Sequence, residues 1–342
     1  GVKSMTLGPL SVADLFWLRD ELEPDKVTLK AKLKGIGLTL DRPAQNASYR
    51  FSSGKINLVK EQVGTRLDLA ESLPLLTAAV MNPKMSQVNL LTVVDLPKLT
   101  LEGLPDPKRL QILSQSTSYF AGSSVERSAN VFAASGHLDG HVVAPDEVFS
   151  FNDAIGNIDI SNGYKSALVI SGGRTVEGVG GGVCQVSTTA FRALYSAGLP
   201  VVERKQHAYR VKWYEPFVGF EAAVYQPGVD LKMKNNTGAP LLIRALPNSA
   251  RGSLTVQLWG IPDGRRVAVS SARILSQTQH PPAQTVYDSN LPSGQTKQVD
   301  WAVDGYHIQI YRSVKGGRGG SSSDTLETIY QPWRSVFAVG TG

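Results

Sequence analysis

Apolar and polar residues alternate in several stretches of the first hundred positions. Segments 27–33 and 36–40 alternate with a period of two, which predicts two half-buried strands. Two further apolar segments, 49–51 and 55–59, flank a Ser-Ser-Gly sequence at 52–54. Small turn residues between two such segments are typical of a β-hairpin.

Helices are predicted in the same region. An apolar run at 12–18 predicts a short helix, and a serine is placed to cap a second helix that starts at Ser72 and reaches residue 81. A strand is expected at 88–94. The sequence Pro-Asp-Pro at 105–107 then marks a boundary, so residues 1–105 are predicted to form an α/β domain.

The clearest helical pattern follows a glycine-rich segment in the middle of the chain. Over 184–197 the apolar residues form one stripe, and Gly198 ends the helix. Another helix is predicted over 123–135. Short apolar segments predict five strands: 201–211, 220–225, 229–234, 240–246 and 253–259. The Asn-Asn-Thr-Gly sequence at 235–238 predicts a hairpin between the third and fourth of them.

In the rest of the chain, short segments with a strand-like pattern are separated by glycines. Residues 265–342 are therefore predicted to form a small β-rich module. The chain is therefore expected to be a multidomain α+β protein, with domains at 1–105, 106–264 and 265–342. In the central domain we expect the cysteine-bearing helix to pack on a mostly antiparallel sheet.

Composition limits the class of protein. A net charge of +6 suits an anionic surface such as a cell envelope. The basic residues are scattered, without an arginine-rich helix or zinc-finger spacing, so nucleic acid is not expected as a partner. No stretch approaches the roughly 20 apolar residues of a membrane span. The chain begins at Gly1 without an initiator methionine, so we expect that a membrane anchor has been removed.

Cys184 is the only cysteine in 342 residues, and it stands between three glycines and a predicted helix. The positive end of a helix dipole and unpaired backbone N–H groups favour a thiolate over a thiol. His207 and Glu221 follow on predicted strands, as a base and a carboxylate that would orient it. We therefore expect Cys184, His207 and Glu221 to be the catalytic residues of a cysteine-dependent acyl-transfer site.

Residues near the thiol are candidates for substrate contacts. Backbone N–H groups at 184–185 are expected to stabilise an oxyanion, and the preceding glycines would let a substrate backbone approach. Arg127 and Tyr164 would recognise sugar or carboxylate groups. The expected substrate-binding residues are Gln185, Gly181, Gly182, Ser187, Arg127, Asn130, Tyr164 and Arg204.

Each candidate also has a simpler explanation. A lone cysteine is often a small buried apolar residue, a histidine on a strand is often a satisfied core or surface residue, and a carboxylate on a strand usually faces solvent. His137 and His141 supply only two ligands across a predicted Asp-Gly turn, so no metal is expected. The glycine run at 178–182 lacks the Lys-Ser or Lys-Thr of a phosphate loop, and no cofactor is expected.

A set of motifs supports one family resemblance. The motifs are Arg127 with Asn130, the segment 145–152, Gly163-Tyr164, Gly-Gly-Gly-Val-Cys-Gln-Val-Ser-Thr-Thr at 180–189, Glu203-Arg204 with His207, and 235–237. Together they resemble the VanW family, named for an accessory protein of one type of vancomycin-resistance cluster, over about residues 110–260. The first hundred residues resemble the peptidoglycan-binding domain that often precedes VanW domains. The tail is loosely similar to a small glycine-containing β module.

The resemblance implies an extracytoplasmic bacterial protein of the cell envelope, with peptidoglycan or its peptide stems as partner. It supplies no settled reaction. Where the family usually has Gly-x-Asp-Ala, this chain has Gly-Phe-Glu-Ala at 219–222, so Glu221 replaces an aspartate. The order of cysteine, histidine and acid is similar in arrangement to transglutaminase-like and NlpC-type cysteine enzymes.

Three functions remain open from the sequence. In an enzyme, Cys184 would attack a carbonyl of a peptide-like substrate, followed by hydrolysis, as in an amidase or peptidase, or by transfer to an amine, as in an acyltransferase. A non-catalytic peptidoglycan-binding protein would use the same motif to shape a ligand groove. The third function is an extracytoplasmic sensor or scaffold. The sequence predicts no oligomeric state.

Overall fold

The computed structural model describes residues 3–4, 25–52, 55–82, 84–85, 87–171 and 174–342. The chain divides into two compact units. The first unit comprises Gly1–Ser48 and Leu58–Leu104, and the second comprises Tyr49–Asn57 and Pro105–Gly342. The division into three domains at 105 and 264 stays a prediction. The helix predicted at 12–18 lies outside the described residues.

In the first unit, helix α1 (Lys26–Leu40) occupies the place of the strands predicted at 27–33 and 36–40, so that prediction is wrong. Asp25 caps this helix, because its carboxylate accepts the N–H of Val27 at 2.9 Å. Three side chains spaced three or four residues apart bury one face of the helix: Leu29, Leu33 and Ile36. In places the same apolar residues also fit the period of two that is typical of a strand. The chain forms a helix here because the helix buries its apolar residues on one face.

Helix α2 (Leu69–Met81) begins three residues before the predicted serine cap at Ser72. The carboxylate of Asp68 accepts two backbone N–H groups of the first turn, each at 3.1 Å, and so sets the start of the helix. Ser72 lies inside the helix and is buried. Its hydroxyl donates to the carbonyl of Leu91 at 3.3 Å and accepts the N–H of the same residue at 3.0 Å.

The strands of this part of the chain are β1 (Lys3–Ser4), β2 (Ser48–Ser52), β3 (Lys55–Val59), β4 (Gly64–Leu67), β5 (Asn89–Leu90) and β6 (Thr92–Asp95). β2 pairs with β3, as the predicted hairpin requires, and the turn residues 53–54 lie outside the described residues. β1 pairs with β5 and β4 pairs with β6, both antiparallel. The strand predicted at 88–94 is therefore divided between β5 and β6.

The second unit contains three helices, α3 (Val125–Leu138), α4 (Phe151–Ile155) and α5 (Val183–Ser196). Most of β2 and the start of β3 lie within Tyr49–Asn57 of this unit. The next nine strands described are β7 (Gln111–Tyr119), β8 (Val142–Val143), β9 (Val148–Ser150), β10 (Ser166–Ser171), β11 (Arg174–Val179), β12 (Val201–Glu203), β13 (Lys232–Lys234), β14 (Leu241–Asn248) and β15 (Ser253–Gly260). The last seven are β16 (Arg266–Val269), β17 (Arg273–Thr278), β18 (Gln284–Asp288), β19 (Thr296–Asp300), β20 (Gly305–Lys315), β21 (Ser322–Tyr330) and β22 (Val336–Gly340).

An antiparallel sheet in the order β7–β15–β14–β8 forms the base of this unit. Helix α5 packs on β7 and β15, and α3 packs on β14. The core between helix and sheet is apolar and includes Val186, Ala190, Leu194, Leu254 and Val256. Helices and strands thus segregate into layers, as in an α+β fold. The cysteine-bearing helix lies on the sheet through its apolar stripe.

Two of the predicted central strands are largely absent. The segment expected at 201–211 is a strand only over Val201–Glu203, and the segment at 220–225 contributes isolated bridges instead of a strand. One of these bridges joins Lys205 to Ala223. His207 and Glu221 therefore lie on neighbouring irregular segments, not on strands, and that part of the prediction is wrong.

The hairpin predicted at 235–238 is also wrong. β13 pairs with β9 and β12, whereas β14 pairs with β8 and β15, so the turn connects two different sheets. The side-chain amide of Asn235 donates to the carbonyl groups of Val143, Ala144 and Ala239 at 2.9–3.0 Å. These bonds stabilise the turn, but the two strands on either side of it do not pair with each other.

The chain after residue 264 forms two further sheets. One has the order β16–β20–β17 with β21 paired to β20, and the other has the order β18–β22–β19. β18 and β22 are parallel, while the remaining pairs in these sheets are antiparallel. Across the residues that the structure describes, no helix has both the length and the apolar character needed to cross a membrane.

Replacing Leu33 with alanine should destabilise the first unit by about 2–5 kcal/mol, because it leaves a cavity in a buried cluster. The matched change Leu38→Ala removes the same atoms from a side chain that is 86% exposed. It should alter the free energy of unfolding by less than about 0.5 kcal/mol. Hydrogen exchange of the α1 amides in urea measures both values. Equal losses in the two variants would contradict a helix with one buried face.

Candidate active site

A glycine turn leads into helix α5 and is packed tightly on its neighbours. Gly182 is the N-cap, with φ at 111°, a left-handed conformation that glycine adopts without strain. A Cβ atom on Gly181 would lie 2.5 Å from the carbonyl oxygen of Leu168. A Cβ atom on Gly182 would lie 2.9 Å from the carbonyl oxygen of Arg127. The glycines are therefore needed where backbone segments approach each other closely.

Asn130 fixes this turn from helix α3. Its side-chain amide donates to the carbonyl groups of Lys165 and Gly181, each at 2.9 Å. Its side-chain oxygen accepts the N–H of Lys165 at 2.7 Å. Asn130 is fully buried. All of these contacts are with the protein backbone, so Asn130 holds the turn in place and does not face a ligand.

Cys184 lies in the first turn of α5 and is partly buried. Its thiol donates to the carbonyl of Val224 at 3.4 Å. The side chain of His207 is close enough to Cys184 to shift the pKa of its thiol. The thiol predicted to be reactive and the histidine predicted to be its base therefore interact electrostatically.

The backbone N–H groups at the helix start are only partly available. Val183 donates to the carbonyl of Gly180 and Gln185 donates to that of Gly182, each at 3.0 Å. For the N–H of Cys184, no acceptor is found among the described residues. The expected pair of oxyanion donors at 184–185 is thus reduced to the N–H of Cys184.

Glu221 orients the imidazole of His207. Its Oε1 lies 3.2 Å from Nδ1 of His207 and accepts the backbone N–H of His207 at 2.9 Å. Glu221 is fully buried and His207 is 8% exposed. One carboxylate oxygen therefore bonds the backbone N–H of the histidine and lies beside Nδ1 of its ring, at ion-pair distance but without hydrogen-bond geometry. The glutamate reaches the histidine despite standing where the family usually has an aspartate.

The three side chains shift one another's pKa values. Burial lowers the pKa of His207, but the charges of Glu221 and Cys184 more than compensate and raise it to about 10. Burial raises the pKa of Cys184, but His207 lowers it, and the net result is a pKa below the usual value for cysteine. The pKa of Glu221 is also lowered, since His207 offsets its burial. These directions favour a thiolate, an imidazolium and a carboxylate over the neutral forms of the three side chains.

Tyr214 completes the surroundings of the imidazole, and the sequence analysis did not find it. Its hydroxyl lies 3.4 Å from Nε2 of His207, and the two ring centroids are 5.0 Å apart. Burial raises the pKa of Tyr214 well above its usual value, and the charges of Cys184 and Glu221 raise it further. The phenol thus stays a neutral O–H donor beside the site. Its only sequence signal is an aromatic pair at 213–214 between the histidine and the acid.

Arg127 lies along the other side of the helix start. Its guanidinium donates to Oε1 of Gln185 at 2.8 Å and to the hydroxyl of Ser123 at 2.7 Å. It also stacks over the ring of Trp213, 4.3 Å from the centroid. Its electrostatic interactions are with Tyr214 and Cys184, and among the described residues no carboxylate forms an ion pair with it. Gln185 itself is buried and donates to Ser118 at 3.0 Å.

The remaining predicted contact residues lie in the packing around the site. The hydroxyl of Ser187 donates to the carbonyl of Ala222 at 2.7 Å, and Arg204 donates to the carbonyl of Glu221 at 2.6 Å. Both residues therefore support the segment that carries the acid. Tyr164 is buried, 1% exposed, and its ring lies 5.9 Å from that of His137.

The two other histidines of this region are separate from the thiol. His137 ends α3, where its Nε2 lies 3.1 Å from the carbonyl of Asn162, and His141 packs against Phe149 with ring centroids 5.5 Å apart. Within the described ranges, no group of three or more His, Cys, Asp or Glu residues could hold a metal ion.

Replacing His207 with asparagine should slow alkylation of Cys184 by iodoacetamide at pH 6.5 by roughly tenfold or more. Without the imidazolium, burial still raises the pKa of Cys184 and its main compensation is lost, so less thiolate is present below that pKa. The matched control is His137→Asn, at an exposed position. Equal alkylation rates for the wild type and His207→Asn would contradict the ion pair.

Two parts of the chain match known families. Residues 126–259 match the family described as VanW like protein. Residues 20–86 match the family described as Putative peptidoglycan binding domain. The first match contains Cys184, His207 and Glu221.

Two curated relatives are similar to part of the chain. The Uncharacterized protein YoaR of Bacillus subtilis (strain 168) is 42% identical over 149 residues, which cover 44% of this chain and 48% of that protein. The Vancomycin B-type resistance protein VanW of Enterococcus faecalis (strain ATCC 700802 / V583) is 30% identical over 112 residues, which cover 32% of this chain and 40% of that protein. The chain spans about half the length of the curated relatives it matches.

Among solved structures, the crystal structure of HP0197-G5 shares 18% identity over 22% of this chain and 99% of its own, with a TM-score of 0.12. That score is too low to support an argument about the fold. The family matches confirm the resemblance predicted from the sequence motifs. This chain therefore carries a domain of the VanW-like family at residues 126–259, together with a domain of the peptidoglycan-binding type at 20–86.

Proposed function

We propose that this protein acts in the bacterial cell envelope, outside the cytoplasm, as a cysteine-dependent enzyme on peptide-like carbonyl groups of peptidoglycan. The observation that carries the proposal is the Cys184–His207–Glu221 arrangement, in which a partly buried thiol faces an imidazole held by a buried acid. The peptidoglycan setting is supported by the match at 20–86 and by the name of the Enterococcus relative.

The first half of the proposed reaction forms a thioester. The thiolate of Cys184 attacks the carbonyl carbon, a carbon–sulfur bond forms, and the carbonyl electron pair moves to the oxygen. As the carbon–nitrogen bond breaks, the imidazolium of His207 donates its proton to the leaving amine. Glu221 stays ionised throughout and keeps the ring in its orientation.

The second half releases the acyl group. The imidazole of His207, now neutral, takes a proton from water or from a second amine, which attacks the thioester carbon. The carbon–sulfur bond breaks, and the thiolate and imidazolium are restored. Water as the acceptor gives hydrolysis, and an amine gives acyl transfer. The same residues serve both outcomes.

The developing oxyanion needs neutral or positive donors near the sulfur. We assign the N–H of Cys184, for which no acceptor is found in the described part of the chain, and the hydroxyl of Tyr214 to this role. A buried phenol that remains protonated can donate without carrying a charge of its own. Such fixed donors stabilise the transition state more than the substrate.

Arg127 is the proposed contact for a polar group of the substrate. A guanidinium has five N–H donors, and Gln185 and Ser123 accept two of those of Arg127. A charge that is half-buried without a carboxylate partner is favourably completed by a carbonyl or carboxylate group of a ligand. The other predicted contact residues, Gly181, Gly182, Ser187, Asn130 and Arg204, are proposed to shape this site through the backbone contacts described above.

The alternative function is a non-catalytic peptidoglycan-binding or scaffold protein. It is favoured by the match at 20–86, which alone supports binding to the cell wall. In that case the Cys184 region would serve only as packing or as the wall of a groove. Binding to purified peptidoglycan should then be unchanged in Cys184→Ala, a result that both functions allow. Only covalent chemistry separates them.

The direct test is to incubate the protein with stem peptides released from peptidoglycan and to measure its intact mass. A thioester adduct on Cys184 is expected in the wild type and absent in Cys184→Ala, because alanine lacks the nucleophile. Adding an amine or extending the time should remove the adduct and yield product. If no adduct and no product form while Cys184→Ala and the wild type bind peptidoglycan equally, the non-catalytic function is favoured.

Replacing Tyr214 with phenylalanine should lower the rate of thioester formation by roughly 10²-fold, through loss of one oxyanion donor. Alkylation of Cys184 by iodoacetamide involves no oxyanion, so its rate should change much less. Measuring both rates on the same preparation separates transition-state stabilisation from thiol activation. Parallel losses in the two rates, or none in either, would refute the oxyanion role of Tyr214.

A further inference from the structure

The segments that carry His207 and Glu221 contain little regular structure of their own. They are joined by the isolated bridge between Lys205 and Ala223, and they include the short 3-10 turn Lys212–Tyr214. Such segments keep a side chain within a few tenths of an ångström only if other elements hold them. In this protein the support comes from strands β20 and β21, which lie outside the matched residues 126–259.

Gly219, two residues before the acid, is held on three sides. Its N–H donates to the hydroxyl of Tyr330 at 3.2 Å, and its carbonyl accepts the hydroxyl of Thr328 at 2.8 Å and the guanidinium of Arg204 at 3.1 Å. Its φ is 78°, and a Cβ atom there would lie 2.8 Å from a methyl group of Ile308. The turn before Glu221 is thus seated directly on the two strands.

The same hairpin holds Arg204. Its guanidinium donates to the hydroxyl of Thr328 at 2.9 Å and to the carbonyl of Glu327 at 3.1 Å, while its Nε donates to the carbonyl of Glu221 at 2.6 Å. One arginine therefore links strand β21 to the backbone of the acid.

The histidine segment is attached to the same region. The N–H of Gln331, immediately after β21, donates to the carbonyl of Ala208 at 2.8 Å. The rings of Tyr209 and Trp333 stack with centroids 5.1 Å apart, and Arg210 lies over the ring of Tyr306 at 5.1 Å. Residues next to His207 and residues next to Glu221 thus contact the same part of the chain, which consists of strands β20 and β21 and the residues directly after β21.

The hydroxyl of Tyr330 also faces the side chain of Glu221. Burial raises the pKa of Tyr330, and the nearby Glu221 raises it further. The phenol oxygen accepts the N–H of Gly219, while Oε2 of Glu221 has no hydrogen-bond partner among the described residues. The other charged or titratable groups that interact with Glu221 are His207, Arg204, Arg192, Cys184 and Tyr214.

We propose that the β20–β21 hairpin is a part of the catalytic centre, with Tyr330 and Thr328 as positioning residues that hold Glu221 and, through it, the ring of His207. This inference rests on the proposed function of the Cys184–His207–Glu221 site. Part of the β-rich module predicted at 265–342 would then belong to the site, because Gly219 before the acid is bonded to side chains from that part of the chain.

The test uses the full chain and the pH dependence of Cys184 alkylation by iodoacetamide. Tyr330→Phe removes the hydroxyl that accepts the N–H of Gly219, so the turn before Glu221 is held less firmly. The carboxylate then supports the imidazolium less well, and the thiolate pKa should rise. A rise of one pH unit lowers the alkylation rate at pH 6 by about tenfold, while the limiting rate at high pH stays the same. The matched control is Tyr311→Phe, on the same hairpin but 50% exposed. Its profile should follow that of the wild type.

A second pair of variants distinguishes loss of the hydroxyl from a general loss of folding. Thr328→Val keeps the shape of the side chain and removes the hydroxyl, so its profile should shift in the same direction as that of Tyr330→Phe. Thr328→Ser keeps the hydroxyl and should shift less. A purely structural role would lower the melting temperature without moving the apparent thiolate pKa.

The outcomes separate the two proposals. If the wild-type thiol reacts like a free cysteine peptide, both the proposed function and the role of the hairpin are overturned. If the wild-type thiol is activated and Tyr330→Phe and Thr328→Val share its pH profile, only the role of the hairpin is overturned. Shifted profiles in both variants, with Tyr311→Phe unchanged, support the inference.

Discussion

In a poorly hydrated site a thiolate and an imidazolium stabilise each other, and a carboxylate beside the imidazolium favours its charged form further. Here burial alone favours the neutral forms of Cys184 and His207. Glu221 reverses that preference for His207 by raising its pKa, and His207 in turn lowers the pKa of Cys184. The acid is itself fully buried, so it depends on His207 and Arg204 for its charge. The charged form of each member is therefore favoured by a neighbouring charge, and loss of that neighbour leaves an uncompensated charge.

The surrounding fold places these groups without using regular strands for two of them. Helix α5 lies on an antiparallel sheet and fixes the sulfur at its first turn, where Asn130 and the glycine backbone leave little freedom. The histidine and the acid lie on irregular segments whose backbone groups bond to Arg204 and to strand β21. Rigid support of flexible segments is how many enzymes hold reactive side chains in position.

The residues that come together at the site could be predicted from the sequence better than the elements that carry them, while their chemistry is a proposal. A lone cysteine at a helix start, followed by a histidine and an acid, was recognisable because reactive residue types are few and their order is informative. The strands predicted at 27–33 and 36–40 failed, since α1 buries a helical face that also fits a period of two. Tyr214 and Tyr330 could not be found, because only tertiary contacts bring them to the imidazole and the acid.

The ionisation state of His207 tests this account most directly. Its ring nitrogens can be observed by ¹⁵N NMR at about pH 8, above the usual pKa of histidine and below the value of about 10 expected here. Comparison with the spectrum of His207→Asn assigns the signals. The account predicts an imidazolium with both nitrogens protonated at that pH. A neutral imidazole would contradict the ion pair and, with it, the proposed mechanism.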